Sequence, residues 1–285
     1  MKATRTTAAV VFVGAATIGS MLDRGGVRTP PVAPAVLAGD FHIHGMPGDG
    51  ALPVWEIQRE AARRGLDVVG ITNHNDNLSF RLAEISGRLK PYPIVIPGQE
   101  LTTAGFHIAA IGVRTMVSPY VPARDAIALI QAQGGVAIAA HPVRESWLEN
   151  DDEALRLLDG AEIAHPATLP HPRLAAQLVE FHARVRSVNP DIAPIGSTDF
   201  HLGIPLGVCR TYLIVDEVSE SGVLDAIRRG RTVVSMPGGG LIGDDGHVRT
   251  VQAHLGPPQA TNFRSPAAWP AFLAIVSLGF FVVRP

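Results

Sequence analysis

A chain of 285 residues with a formal net charge of -2 lacks the lysine and arginine surplus that electrostatic binding of a nucleic acid requires, so no long nucleic acid is expected as a partner. The length suits one catalytic domain of α/β-barrel size with short appendages. Hydrophobic residues reach 46% against 18% charged, an apolar excess concentrated at the two ends.

Thr6 to Leu22 carries no charge and follows Lys2 and Arg5, the order of a basic n-region and an apolar h-region. Residues 1–38 therefore read as a signal or anchor segment plus a linker rich in proline (Pro30, Pro31, Pro34), and the protein as exported or membrane-anchored. The catalytic domain is expected over 39–236, where short β-branched runs alternate with helical patterns. Proline in the first turn and Gly65 as a stop predict a helix from Pro53 to Arg64, followed by a strand over Asp67–Ile71. A helix over Arg124–Gln133 ends at Gly134-Gly135, and a buried strand follows over Val136–Ala140. Further on, the pattern predicts a helix near Pro172–Arg186, strands near Ala193–Gly196 and Arg210–Val215, and a helix over Ser221–Arg229 stopped by Gly230. Residues 237–266, with Gly238-Gly239-Gly240, read as a linker, and 267–285 as a candidate C-terminal membrane segment, its uncharged part just long enough for a ~30 Å hydrocarbon core. Basic residues outside both apolar segments place the termini in the cytoplasm and the domain outside. The single cysteine, Cys209, permits no intrachain disulfide.

The chemistry is carried by histidines and carboxylates. His42 and His44 read as part of a short strand, where residues two apart face one side and both imidazoles reach one ion. Asp199 and His201 repeat that spacing around Phe200. Between them, His74, Glu100, His107 and His141 sit at or near the ends of strand-like runs, and in a barrel the C-terminal ends of successive strands converge on one mouth. A lone His-x-His is weak; the ordered set is not, because so many clustered carboxylates and imidazoles without an ion would suffer desolvation and like-charge repulsion.

The strings Asp40-Phe41-His42-Ile43-His44, Gly48-Asp49-Gly50 and Gly70-Ile71-Thr72-Asn73-His74-Asn75 resemble the opening motifs of PHP (polymerase and histidinol phosphatase) proteins. Pro97-Gly98-Gln99-Glu100 with His107, Ala140-His141-Pro142, and Gly196-Ser197-Thr198-Asp199-Phe200-His201 are similar to the later motifs in the same order, so the resemblance covers about 39–235. It implies a distorted (β/α)7 barrel with the apolar N- and C-terminal segments outside it, and two to three divalent metal ions, Zn, Mn or Fe. Carried over by motif, His42, His44, Glu100 and Asp199 would hold the first ion. Glu100 would bridge to a second held also by His107 and His141, and Asp49, His74 and His201 would hold a third. Asp199, His201 and Arg144 form the expected catalytic set, Arg144 gripping a phosphate or carboxylate oxygen or else pairing at the surface with Glu145. The implied activity is a metal-dependent phosphoesterase acting on a small-molecule phosphoester through a metal-bridging hydroxide. A carbamate or amide hydrolase with the same site is the alternative, since the export signal and the Gly50 to Glu56 stretch look like the CehA/McbA subgroup. A non-catalytic, membrane-tethered metal-binding module is a second alternative. Asn73 departs from the aspartate frequent in the family, which puts the support of His74 in question. His165, His171, His182, His247 and His254 have no place in the pattern and are assigned no role.

Overall fold

The computed structural model describes residues 2–22, 28–143, 147, 152–238, 240–255, 273 and 276–277. The chain divides into two units, Met1–Gly26 with Pro257–Pro285, and Val27–Gly256. In the first, residues Lys2–Leu22 form helix α1. Among the described residues no helix is long and apolar enough to cross a membrane. The candidate C-terminal membrane segment lies outside the described residues apart from positions 273, 276 and 277.

The second unit runs β1 (Ala35–Asp40), α2 (Val54–Arg63), β2 (Val68–Ile71), α3 (Leu78–Ile85), β3 (Ile94–Thr102), β4 (His107–Ile111), α4 (Ala123–Ala132), β5 (Val136–Ala139), α5 (Asp152–Leu157), β6 (Gly160–Ala164), α6 (Pro172–Val188), β7 (Ala193–Gly196), β8 (Arg210–Val215), α7 (Glu220–Arg228), β9 (Thr232–Ser235), β10 (Leu241–Gly243) and α8 (Asp245–Leu255). One sheet contains all the strands, in the order β10-β9-β8-β1-β2-β3-β4-β5-β6-β7. It is mixed rather than mainly parallel. β1, β2 and β3 are parallel, β4 is antiparallel to both neighbours, β5 to β7 are parallel again, and β8, β9 and β10 extend the β1 side antiparallel. The reversal at β4 follows from its connection: residues 103–106 are too few for a parallel crossover.

The sheet curls until its edges nearly meet. Thr211 on β8 bonds both the N–H and the carbonyl of Gly196 at the end of β7 (2.9 and 3.0 Å), and Thr232 on β9 donates to Pro194 (2.9 Å). Hydroxyls thus stand in for a ladder. Inside, Leu37, Phe41, Val68, Ile96, Ile111, Ile138, Ile195 and Leu213 form one buried cluster with Val223, Leu224 and Ile227 of α7. Because α7 follows the antiparallel β8, it plugs the end where the parallel strands begin and leaves their C-terminal ends open.

The helices form where the sequence offers an apolar stripe. α2 buries Val54, Ile57, Gln58 and Ala61, the i, i+3, i+4, i+7 set, and α4 buries Ala123, Ala126, Ile127 and Ile130. β5 is buried along its whole length, as a strand covered on both faces must be. The stretch read as a linker over 237–266 instead contains β10 and α8. α8 buries only Val251 fully, against Val36 and Val233, with Val248 partly covered beside it, too short an apolar stripe to announce a helical period.

Cys209 is fully buried, and burial with the nearby charges of Asp40 and Glu162 pushes its thiol up to about 12. Iodoacetamide at about pH 8 should therefore leave native Cys209 unmodified while labelling it in denaturant, as mass spectrometry would show; rapid labelling of the native chain would contradict its burial.

Candidate metal centre

All nine metal ligands predicted from sequence reach the open mouth. Beyond β1 the chain stays extended: Ile43 pairs with Phe200, the His44 N–H donates to the Phe200 carbonyl (2.9 Å) and the Phe200 N–H to His42 (3.2 Å). His42 and His44 thus follow the strand rather than lie in it. That pairing sets the two doublets, His42/His44 and Asp199/His201, side by side. His74 follows β2 and pairs with Glu100, which lies inside β3. His107 opens β4 and arrives at the same end because β4 is reversed, and His141 follows β5. Asp199 (φ 51°) and His141 (φ 29°) hold left-handed backbone that non-glycine residues rarely adopt, strain of the kind concentrated at functional sites.

The donor atoms form three groups, within each of which they lie within 4.8 Å of one another: His42, His44 and Asp199; His42, Glu100 and His141; and His44, Asp49, His74 and His201. Around the first, His42 Nε2 stands 3.3 Å from Asp199 Oδ1 and 3.5 Å from Glu100 Oε2, while His44 Nε2 stands 3.1 and 3.5 Å from the same two oxygens. Glu100 turns its other oxygen towards His107 Nδ1 (2.7 Å) and His141 Nε2 (3.3 Å). Among the described residues His107 is in none of the three groups and instead meets Glu100 through that hydrogen bond. In the third group Asp49 Oδ2 faces His74 Nε2 (3.3 Å) and His201 Nε2 (3.0 Å).

These residues fit a divalent cation. His42 Nε2, His44 Nε2, Glu100 Oε2 and Asp199 Oδ1 are all buried without a hydrogen-bond partner. Four orphaned polar atoms at one point would be costly unless something charged sits between them. For donors about 2.0–2.2 Å from a central ion, a tetrahedron has edges of about 3.3–3.6 Å, close to the separations found.

Electrostatics point the same way. Burial works against a proton on His42, yet Asp199, Glu162 and Glu100 outweigh it and raise its pKa well above the ordinary value. Burial lowers that of His44, assisted by the charges of His42 and His201. Glu100 and Asp199 are pushed up by burial, but His42 and the hydrogen bonds of neighbouring imidazoles hold both well below the usual carboxylate range. The site opens to solvent on one side: the side chains of Asp49, His74 and His201 are 44%, 40% and 34% exposed, whereas His42, His44 and Glu100 are sealed.

The loop carrying Asp49 is shaped by its glycines and by Asn73. Gly48 has φ +138°, and a Cβ there would stand 2.0 Å from Asn73 Nδ2; at Gly50 it would stand 1.9 Å from the His44 carbonyl oxygen. The Asn73 amide accepts from the Gly45 N–H (3.0 Å) and Ser79 Oγ (2.8 Å) and donates to the carbonyls of Gly45 (2.7 Å) and Pro47 (3.2 Å). Asn73 therefore braces the loop, while His74 Nδ1 is placed by its hydrogen bond with Thr102 Oγ1 (2.7 Å). An aspartate could not donate to either carbonyl. Asn73→Asp should thus lower stability by about 3 kcal/mol in urea unfolding; an unchanged midpoint would show that the amide donors are dispensable.

Two residues at the site escaped the sequence reading. Glu162 on β6 is fully buried, its Oε1 2.9 Å from His42 Nδ1 and its Oε2 accepting from the His141 N–H (2.6 Å). His165, assigned no role from sequence, stands with Nε2 3.3 Å from Asp199 Oδ2. Neither belongs to a motif spacing. Arg144 lies outside the described residues.

Fold and site together define a nearly closed mixed α/β barrel with a buried histidine–carboxylate cluster at its C-terminal mouth. Among solved structures the chain is similar to a two-domain protein from Bacteroides vulgatus containing a predicted PHP-like metal-dependent phosphoesterase, with 23% identity, 79% of this chain and 72% of that one covered, and a TM-score of 0.57. It is also similar to PsfC from Pseudomonas syringae, with 15% identity, 77% and 97% covered, and a TM-score of 0.52. The shared feature is the fold, a barrel consistent with the PHP type. No protein-family model and no curated protein matches the chain.

Proposed function

We propose that the chain is a metal-dependent hydrolase of the PHP type acting on phosphoesters. The observation that carries this reading is the set of four buried, unpartnered atoms of His42, His44, Glu100 and Asp199 spaced as ligands of one cation. His107 and His141 with Glu100, and Asp49 with His74 and His201, would hold further ions, zinc, manganese or iron by their donor types. When bound, divalent ions of this kind activate water and polarise an ester oxygen. The chain's own residues do the rest. Glu100 shares its two oxygens between two groups, the sealed side excludes water from His42 and His44, and the exposed side admits substrate past Asp49, His74 and His201. Three divalent cations against the proposed ligand carboxylates of Asp49, Glu100 and Asp199 would leave a surplus of about +3, which a phosphate ester offsets better than a neutral carbamate.

The test is to strip the purified chain with chelator, reload it with zinc, manganese or iron, and assay phosphomonoesters, phosphodiesters and aryl carbamates. Metal-dependent phosphoester turnover that His42→Ala and Asp199→Ala abolish is expected. Carbamate turnover alone would move the chain to the CehA/McbA-like reading, and full metal loading without turnover to the binding module. The catalytic unit is further proposed to lie outside the cytoplasm; protection from added protease in spheroplasts would refute that.

A further inference from the structure

β6 supplies none of the nine proposed ligands, yet its end touches three of them, and we propose that Glu162 and His165 are positioning residues that decide which atoms of His42 and Asp199 face the metal. This rests on the proposed metal centre. Residues three apart on a regular strand point to opposite faces. In β6, however, Glu162 pairs with Ile195 while Ala164 pairs with Gly196, so Ile163 is an extra residue and the register shifts between them. A one-residue bulge reverses the alternation and turns both Glu162 and His165 to the site, a use of bulges common beside active sites.

Each then makes a bond that leaves a single outcome. Glu162 Oε1, 2.9 Å from His42 Nδ1, accepts the N–H of that nitrogen and so turns Nε2, the orphaned atom, to the cation. Its other oxygen accepts the backbone N–H of His141 (2.6 Å) and so steadies a residue of positive φ. His165 is fixed by the turn after β6: its carbonyl accepts from the N–H and hydroxyl of Thr168 (3.0 and 2.8 Å), and its Nδ1 accepts from the Ala167 N–H (3.2 Å). With Nδ1 occupied as an acceptor, the neutral ring carries its proton on Nε2. His165 therefore donates to Asp199 Oδ2 and is not itself a ligand, which leaves Asp199 Oδ1, again the orphaned atom, for the cation. One acceptor on the bulged strand and one donor just beyond it thus select the ligand atoms of two other residues.

The test is a Co2+ titration of the metal-stripped full chain, followed by visible absorption, for wild type, Glu162→Gln, His165→Leu and His165→Gln, with circular dichroism to confirm folding. Glu162→Gln and His165→Leu are expected to weaken the tightest Co2+ by about 10- to 100-fold and to alter its d–d band. His165→Gln, which keeps an N–H donor for Asp199, should recover most of the wild-type affinity and band. Folded variants that match wild type in both, or His165→Gln as impaired as His165→Leu, would overturn the inference while leaving the metal centre intact. A wild-type chain that binds no Co2+ would overturn the proposed function itself. If Glu162→Gln does not fold, the two His165 variants decide the matter alone.

Discussion

Glu100→Gln is expected to lower kcat/KM for a phosphoester by about 10³-fold or more, equivalent to about 4 kcal/mol of transition-state stabilisation, and to lower the metal content of the purified protein. The reason is that Glu100 serves two groups at once. Oε2 faces His42, His44 and His74, and Oε1 faces His107 and His141. A glutamine has one oxygen. Whichever way its amide turns, its NH2 meets imidazoles that must stay unprotonated to bind a cation, and one group loses its shared carboxylate. The side chain is sealed from solvent, so water cannot replace the missing oxygen. Asp49→Asn should cost less, about 10- to 100-fold, because Asp49 stands 44% exposed at the mouth and touches only one group. Steady-state kinetics paired with elemental analysis of both variants would check the order; equal effects, or an active Glu100→Gln with full metal content, would remove Glu100 from its bridging place.

The readability of the site from sequence has a physical cause. His42/His44 and Asp199/His201 are legible because a two-residue spacing projects side chains the same way whenever the backbone is extended, and the Ile43–Phe200 pairing keeps it so. Strands β7 and β8 were legible as well, being short runs bounded by clear breakers. Glu162 and His165 were hidden because their shared direction depends on an extra residue in β6, and a bulge has no signature in a single sequence. Asn73 misled for a different reason. Read against a family pattern it was a missing acid beside His74, whereas its amide donates to two carbonyls of the Asp49 loop, a demand that only the fold creates. The reversal of β4 was written in the four residues 103–106, but nothing in the strands themselves distinguishes a parallel from an antiparallel neighbour. α8 was missed because a helix that buries a single valine leaves no period to find.

Saturating metal should also raise the melting temperature of the chelator-stripped chain by about 8–16 °C. The proposed ligands span His42 to His201 and come from the ends of β1, β2, β5 and β7, from β3 and β4 and, for Asp49, from the loop after β1, so the unfolded chain can present only the two local doublets and binds far more weakly. A ligand present at about a thousand times its Kd and bound by the native state alone adds about 4 kcal/mol of stability. In a unit the size of Val27–Gly256 each kcal/mol is worth about 2–4 °C. The gain has a structural source, since without an ion the sealed carboxylate of Glu100 and the partly buried one of Asp199 lack the cation's countercharge, and the four orphaned atoms keep their desolvation penalty. Asp199→Asn should melt near the metal-free wild type and respond little to added metal, because it loses one of those four atoms together with the acceptor of His165. Differential scanning fluorimetry across a zinc or manganese titration separates the cases. A melting temperature indifferent to metal would mean that the converging imidazoles and carboxylates hold one another and no cation.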